Sequence, residues 1–253
     1  MRPNKLRRLI AERRPIVCGW LAIPSSYLAE GAGHSGYDCV AVDLQHGMIG
    51  FEAAVGMMQA ISATPAVPIV RAPSLEGHSI MHLLDAGAYG VICPMVSTAD
   101  DVRALLSACR YPPLGRRSFG PARGKLYGGA DYFDHADEAV MAIPMIETAE
   151  ALDNIDDILA VPGLDMIYVG PNDLALELGE RPSAETEDSK TAKAIAHILA
   201  RANAAGIPVG IFCASPELAR KRLDEGFQMV TPGNDFALAT GAMASAVKRS
   251  LGQ

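Results

Sequence analysis

The stretch MAIPMIETAEALDNIDDILAVPGLDMIYVGPNDLALELG, residues 141–179, decides the architecture. It opens on an apolar run, 141–146, that ends at the carboxylate of Glu147. A helical pattern follows over 149–159, with apolar residues at Ala151, Leu152, Ile155, Ile158 and Leu159. The turn Val161-Pro162-Gly163 leads into a second apolar run, 166–169, and then Gly170-Pro171-Asn172-Asp173. This is strand, helix, strand: one βαβ unit whose parallel strands are buried on both faces. Both strands point the same way, so Glu147 and Asp173 meet beyond the same edge of the sheet. Two carboxylates at that edge suit a hard divalent cation bound through oxygen. The competing explanation is a pair of helix N-terminal acids favoured by the helix dipole.

Outward from this unit, apolar runs at 16–23, 39–42, 68–70, 90–93, 208–212 and 228–230 bring the strand candidates to eight. Helical patterns fall between them at 50–62, 79–86, 99–109, 192–205 and 216–224. Glycine-containing turns such as DAGAYG (85–90), NAAGIP (203–208) and DEGFQ (224–228) close several of these helices, as left-handed C-terminal glycines do. Eight β-then-α units in 253 residues predict one (β/α)8 TIM barrel. No Gly-x-Gly-x-x-Gly follows the first strand, so a dinucleotide fold lacks its fingerprint. One interval, 111–134, breaks the rhythm with Gly, Pro, Arg and aromatic residues. It is expected to lie over the active site or in a subunit contact. A second polar stretch, 180–188, is expected as a plain surface loop.

Composition bounds the function. With a net charge of −7 and no basic stripe, a nucleic-acid partner is not expected. The basic N-terminal segment MRPNKLRRLIAERRP contains Glu12 and no long apolar core, which marks a solvated opening helix rather than a targeting peptide. No apolar run approaches the roughly 20 residues that span a membrane. The five cysteines, Cys18, Cys39, Cys93, Cys109 and Cys213, show no paired spacing. Cys39, Cys93 and Cys213 sit in or beside apolar strand-like runs and read as small core residues, and the lack of a disulfide or metal-thiolate framework fits a cytoplasmic protein.

Active sites of such barrels form at the C-terminal ends of the strands. There the sequence places Trp20 and the turn Ile23-Pro24-Ser25-Ser26, then Asp43, Gln45 and His46, then Arg71. Pro94 and Met95 follow the fourth strand, Glu147 the fifth, Gly170 to Asp173 the sixth, Phe212 and Cys213 the seventh, and Thr231, Gly233 and Asn234 the eighth. His46 is the one histidine at a strand terminus, and imidazole, titrating at about 6.5, carries protons at neutral pH. Asp43 is a candidate to orient it or to accept hydrogen bonds from metal-bound water. Arg71 offers a planar fork to a carboxylate or an enolate oxygen, with an ordinary ion pair as the alternative. A cation on Glu147 and Asp173, together with Arg71, would stabilise an enolate while His46 moves the proton. The amides of Gly170, Asn172 and Asp173 are candidates for the substrate carboxylate, although Pro171 has no N–H. No lysine stands at a strand end, which counts against a Schiff-base mechanism. Asp85, closing a helical segment, reads by default as a surface acid.

The motifs GWLAIPSS (19–26), VAVDLQHG (40–47), VPIVRAP (67–73), LLDAGAYGVICPMV (83–96), RYPPLGRRSFG (110–120), IETAEALDNIDDI (146–158) and VGPNDLALELG (169–179) occur in this order. Together they resemble the HpcH/HpaI aldolase family, class II pyruvate aldolases of the phosphoenolpyruvate/pyruvate barrel superfamily. The resemblance implies that Glu147 and Asp173 bind a divalent cation (Mg2+, Mn2+ or Co2+). It also implies that His46 is the catalytic base, that Arg71 stabilises the enolate, and that Asp85 supports the histidine of a neighbouring subunit. Trp20, Phe212 and the 170–173 turn would contact substrate. The assembly implied is a homohexamer, a trimer of dimers, with the C-terminal helix over 235–251 exchanged between subunits.

The resemblance further implies reversible cleavage of a 4-hydroxy-2-oxo acid to an aldehyde and pyruvate, or a related 2-oxo acid such as hydroxypyruvate. The alternatives at the same site are oxaloacetate decarboxylation and a citramalyl-CoA type of lyase. The acidic composition lacks the basic groove that a CoA ester would require. Three departures from the family pattern concern the substrate. Met145 stands where many members carry a glutamine, Phe212 replaces smaller aliphatics, and the loop with Arg123, Lys125 and Tyr127 differs.

Overall fold

The computed structural model describes residues 1–182 and 188–252. Residues 183–187, inside the stretch expected as a surface loop, lie outside the described residues. Helix α1 (Lys5–Ala11) precedes a regular alternation: β1 (Ile16–Leu21), α2 (Ser26–His34), β2 (Cys39–Asp43), α3 (Phe51–Ser62), β3 (Val67–Arg71), α4 (Gly77–Asp85), β4 (Gly90–Cys93) and α5 (Ala99–Cys109). Two inserted helices, α6 (Ala122–Gly128) and α7 (Tyr132–Ala139), come before β5 (Met141–Ile146). The chain continues through α8 (Ala149–Asp153), α9 (Ile155–Leu159), β6 (Ile167–Val169), α10 (Pro171–Glu177) and α11 (Lys190–Ala205). It ends with β7 (Val209–Cys213), α12 (Pro216–Glu225), β8 (Met229–Pro232) and α13 (Asp235–Ser250). The strands pair in parallel, each with the next, and β8 returns to β1. The fold is a closed TIM barrel.

Alternation along each strand explains both cores. Val40 and Val42 face out to the helices, while Cys39 and Ala41 face the barrel axis with Ile69, Ile143, Met166 and Tyr168. The same parity carries Trp20, Asp43, Arg71, Glu147, Gly170 and Phe212 to the inward side at the strand ends. Burial of the outward Val, Leu and Ile residues, each about 1.5–3 kcal/mol, holds the helical ring to the sheet.

Local signals set the helix boundaries. Ser25, Thr98, Thr148, Ser189, Ser215 and Asn234 cap helix N-termini with their side chains, and Thr98 with Asp101 forms a capping box. Gly206 and Gly226 end α11 and α12 in left-handed backbone, as the turns around them predict. Two boundaries differ from expectation. The first strand stops at Leu21 rather than 23, because the Asp235 carboxylate accepts from the N–H groups of Ala22 (2.8 Å) and Ile23 (3.1 Å). The single helix expected over 149–159 breaks at Asn154, whose Nδ2 donates to Ser97 O at 3.0 Å.

Of the two places expected for the 111–134 segment, the structure removes one: it does not lie over this chain's own strand ends. It follows a helix and precedes a strand, so it sits at the N-terminal end of the barrel and carries α6 and the start of α7. There Arg123 donates to Ala86 O (2.8 Å) and Ser62 Oγ (2.8 Å), and Arg2 N donates to Gly128 O (2.6 Å). Asn4 ties the floor together by donating to Tyr89 O (3.1 Å) and Ala139 O (2.8 Å). At the other extreme of the chain, α13 is exposed along nearly its whole length. Phe236, Met243 and Val247 are each about 60% exposed.

Candidate active site at the mouth of the barrel

The inward-facing strand ends enclose a cavity of about 330 Å³. Its lining contains Trp20, Asp43, His46, Arg71, Glu147, Gly170, Pro171, Asn172, Asp173 and Phe212, every site residue expected from the sequence except Asp85. Asp85 ends α4 at the opposite face, where its Oδ1 accepts from Arg117 Nη2 at 2.9 Å. Within one chain, therefore, Asp85 and His46 are not brought together.

Asp43 organises one side of the cavity. It is the register partner of Arg71, and the two form a bidentate pair, Nε to Oδ1 at 2.8 Å and Nη2 to Oδ2 at 2.5 Å. Trp20 Nε1 donates to Oδ2 at 3.1 Å, and the amides of Gln45 and His46 donate to Oδ1 at 3.1 and 3.3 Å. Burial pushes the Asp43 carboxyl up, but the Arg71 fork with these other donors holds it below the usual carboxylate range. Its side chain thus positions Arg71 and the backbone that carries His46. Nε and Nη2 of Arg71 serve the ion pair with Asp43, and the residue also lines the cavity. The guanidinium also lies 4.9 Å over the Trp20 ring, and Trp20 stacks on Tyr168 at 5.7 Å.

Glu147 organises the other side. It is 1% exposed, its Oε1 accepts from Met95 N at 2.8 Å, and its Oε2 is buried without a hydrogen-bond partner. Burial raises its pKa to about 7, with the nearby Asp173 charge adding to the rise against the Met95 amide and Arg71. An orphaned, buried carboxylate oxygen is costly unless something positive completes it. Gly170 keeps the space open, because a Cβ there would collide with Glu147 Oε2 and crowd Met145. The donor set fits a hard divalent cation. Among the described residues no group of three or more His, Cys, Asp or Glu converges, so the chain offers two carboxylates and leaves other positions to water or substrate oxygens.

In the 170–173 turn Gly170 N donates to Ile146 O at 3.4 Å and Pro171 has no N–H, so neither of these two positions offers an amide to a ligand. Strand-end reading missed Tyr168, Ala22 and, as a wall, Met145. Tyr168 is fixed by its hydroxyl to Thr231 Oγ1 at 2.7 Å, and it could have been found by counting inward parity back from Gly170. Phe212 meets Trp20 edge-on at 5.7 Å and narrows the mouth.

The family model described as HpcH/HpaI aldolase/citrate lyase matches residues 17–242. The chain belongs to this family. It is 47% identical over 239 residues to the hydroxypyruvate/pyruvate aldolase of Rhizorhabdus wittichii, covering 94% of this chain and 95% of that protein. It is 36% identical to the 2-dehydro-3,6-dideoxy-6-sulfogluconate aldolase of Pseudomonas putida, covering 87% and 86%. A solved HpcH/HpaI family structure from Burkholderia cenocepacia superposes with a TM-score of 0.92 at 30% identity, over 98% of this chain and 99% of the other. The chain is an aldolase-type lyase. Among the described residues no helix is long and apolar enough to cross a membrane.

Proposed function

We propose that the chain is a divalent-metal-dependent aldolase that cleaves 4-hydroxy-2-oxo acids reversibly to pyruvate or hydroxypyruvate and an aldehyde. The observation that carries this reading is the buried, unpartnered Oε2 of Glu147 beside Asp173, in the same cavity as Arg71 and His46. A divalent cation held by Glu147 and Asp173 would supply positive charge opposite the keto and carboxylate oxygens of a bound 2-oxo acid. Mg2+, Mn2+ and Co2+ all suit such an oxygen set.

The remaining work falls to the chain's own groups. Arg71, locked by Asp43, presents Nη1 to the oxygen on which charge develops and needs no reorganisation during the reaction. His46, at the exposed rim, moves the proton between the substrate and the acceptor hydroxyl. The 170–173 turn, at the head of α10 and lining the cavity, holds the substrate carboxylate. Trp20, Tyr168, Met145 and Phe212 exclude water from the carbanionic carbon. The relative named a hydroxypyruvate/pyruvate aldolase supports these two donors.

Asp85 acts in trans in this reading, supporting the His46 of a neighbouring copy. The exposed apolar face of α13 is covered by a second copy within a hexamer built as a trimer of dimers. Buried thiols such as Cys18, Cys39, Cys93 and Cys109, in no disulfide, support a cytoplasmic setting. The test is release of pyruvate from a 4-hydroxy-2-oxo acid, followed by a coupled reductase. EDTA should abolish release and Mn2+ restore it, whereas release indifferent to EDTA would overturn the reading.

A further inference from the structure

Beside Glu147 the backbone adopts a conformation that the side chain at that position disfavours. Among the described residues, the non-glycine residues with positive φ are Arg13 and Met95, and Met95 has φ +56°. It stands two residues beyond β4, after Pro94, and its N–H is the one that donates to Glu147 Oε1 at 2.8 Å. Left-handed backbone is unfavourable for a side chain bearing a Cβ and persists where the surroundings enforce it.

The surroundings here do enforce it. On one side Pro94 fixes its own φ. On the other, Ser97 is held by three bonds: its N–H donates to Asp101 Oδ2 (3.0 Å), its O accepts from Asn154 Nδ2 (3.0 Å), and its Oγ meets Thr148 Oγ1 at 2.8 Å. Thr148 directly follows Glu147. The loop from β4 to α5 is thereby stapled to the loop after β5, and the chain between Pro94 and Ser97 has to pivot at Met95. The Met95 side chain is 52% exposed, so packing does not explain why a methionine occupies this strained point.

We propose that Met95 is a positioning residue for the cation site: its left-handed backbone aims its amide at Glu147 Oε1 and so turns Oε2 toward Asp173. Gly170, across from it, provides the room into which Oε2 is turned. The inference rests on the reading of Glu147 and Asp173 as a cation-binding pair. It assigns to a backbone amide the choice of which carboxylate oxygen is left to bind.

The test is Mn2+ affinity, read by electron paramagnetic resonance on full-length protein, with thermal unfolding of the metal-free protein alongside. Met95→Gly and Met95→Asn tolerate positive φ and keep the amide, whereas Met95→Val opposes it through its β-branch. Gly and Asn should bind Mn2+ at least as tightly as wild type, and Val at least tenfold more weakly. Glycine should also unfold no lower than valine, the reverse of what loss of a packing side chain would give. If valine fails to fold, Met95→Ala against Met95→Gly keeps the comparison, with Gly expected to bind more tightly. Valine binding like wild type, or glycine binding more weakly than alanine, would overturn the proposal. Wild-type protein that bound no Mn2+ would instead sink the cation-site reading on which it rests.

Discussion

The floor and the mouth of this barrel both bury charge, but they leave it in opposite conditions. At the floor, Asp165 is paired with Arg7 and Arg110, each at 2.8 Å, and accepts from Ala142 N at 2.9 Å. Arg117 is paired with Asp85, lies 4.6 Å over the Tyr111 ring and donates to Tyr132 Oη at 3.0 Å. The unsatisfied buried atoms there, Arg110 Nη1, Arg117 Nε and Tyr111 Oη, belong to cations already paired or to a neutral phenol. At the mouth, Asp43 and Arg71 also complete each other, but Glu147 keeps a bare carboxylate oxygen. A fold can close one end with matched pairs because nothing has to enter. The other end stays short of one positive charge, and that deficit is where chemistry can be recruited.

The sharpest way to break this contrast is to remove the deficit. Glu147→Gln and Asp173→Asn should each cost roughly 10³-fold or more in metal-dependent turnover, since the cation supplies several kcal/mol of charge stabilisation. Near-wild-type rates in either variant would erase the distinction between the two ends. His46→Ala should slow proton transfer by roughly 10²–10⁴-fold while leaving Mn2+ affinity intact, measured by solvent deuterium exchange and by electron paramagnetic resonance. The floor predicts the converse. Asp165→Asn leaves Arg110 buried without its partner and should lower stability by about 3 kcal/mol in urea unfolding, with Mn2+ affinity unchanged.

The smallest effect is a pH dependence. The folded pKa of Glu147, about 7, lies above its unfolded value, so folded metal-free protein binds the proton more tightly than unfolded chain. Its contribution to stability is present below the unfolded pKa and is lost as pH rises toward 7. Metal-free wild type should therefore unfold more readily at pH 7 than at pH 5 relative to Glu147→Gln, and saturating Mn2+ should cancel the difference.

Much of the mouth was legible because strand parity and strand ends coincide there. Asp43, Arg71 and Glu147 each follow an apolar run with a clear boundary, and parallel order forces them onto one rim. Tyr168 was missed because it lies one step inside the run, where an aromatic residue reads as core. Connectivity narrows the two readings of 111–134 to the subunit contact, since a segment leaving a helix and entering a strand belongs to the N-terminal end. Asp85 follows the same rule, which separates it from His46 in its own chain. The break at Asn154 and the short β1 depend on side chains from distant segments, Ser97 and Asp235, that no local pattern announces. The backbone of Met95 carries no glycine or asparagine signal at all.

The most direct test of the central claim is proton NMR of pyruvate, and separately of hydroxypyruvate, in D2O with purified protein under Mn2+, Mg2+ or EDTA. The mouth as described predicts loss of the C3 proton signal with metal and none with EDTA. Exchange that persists in EDTA, or its absence with both donors under either metal, would contradict a metal-completed enolisation site.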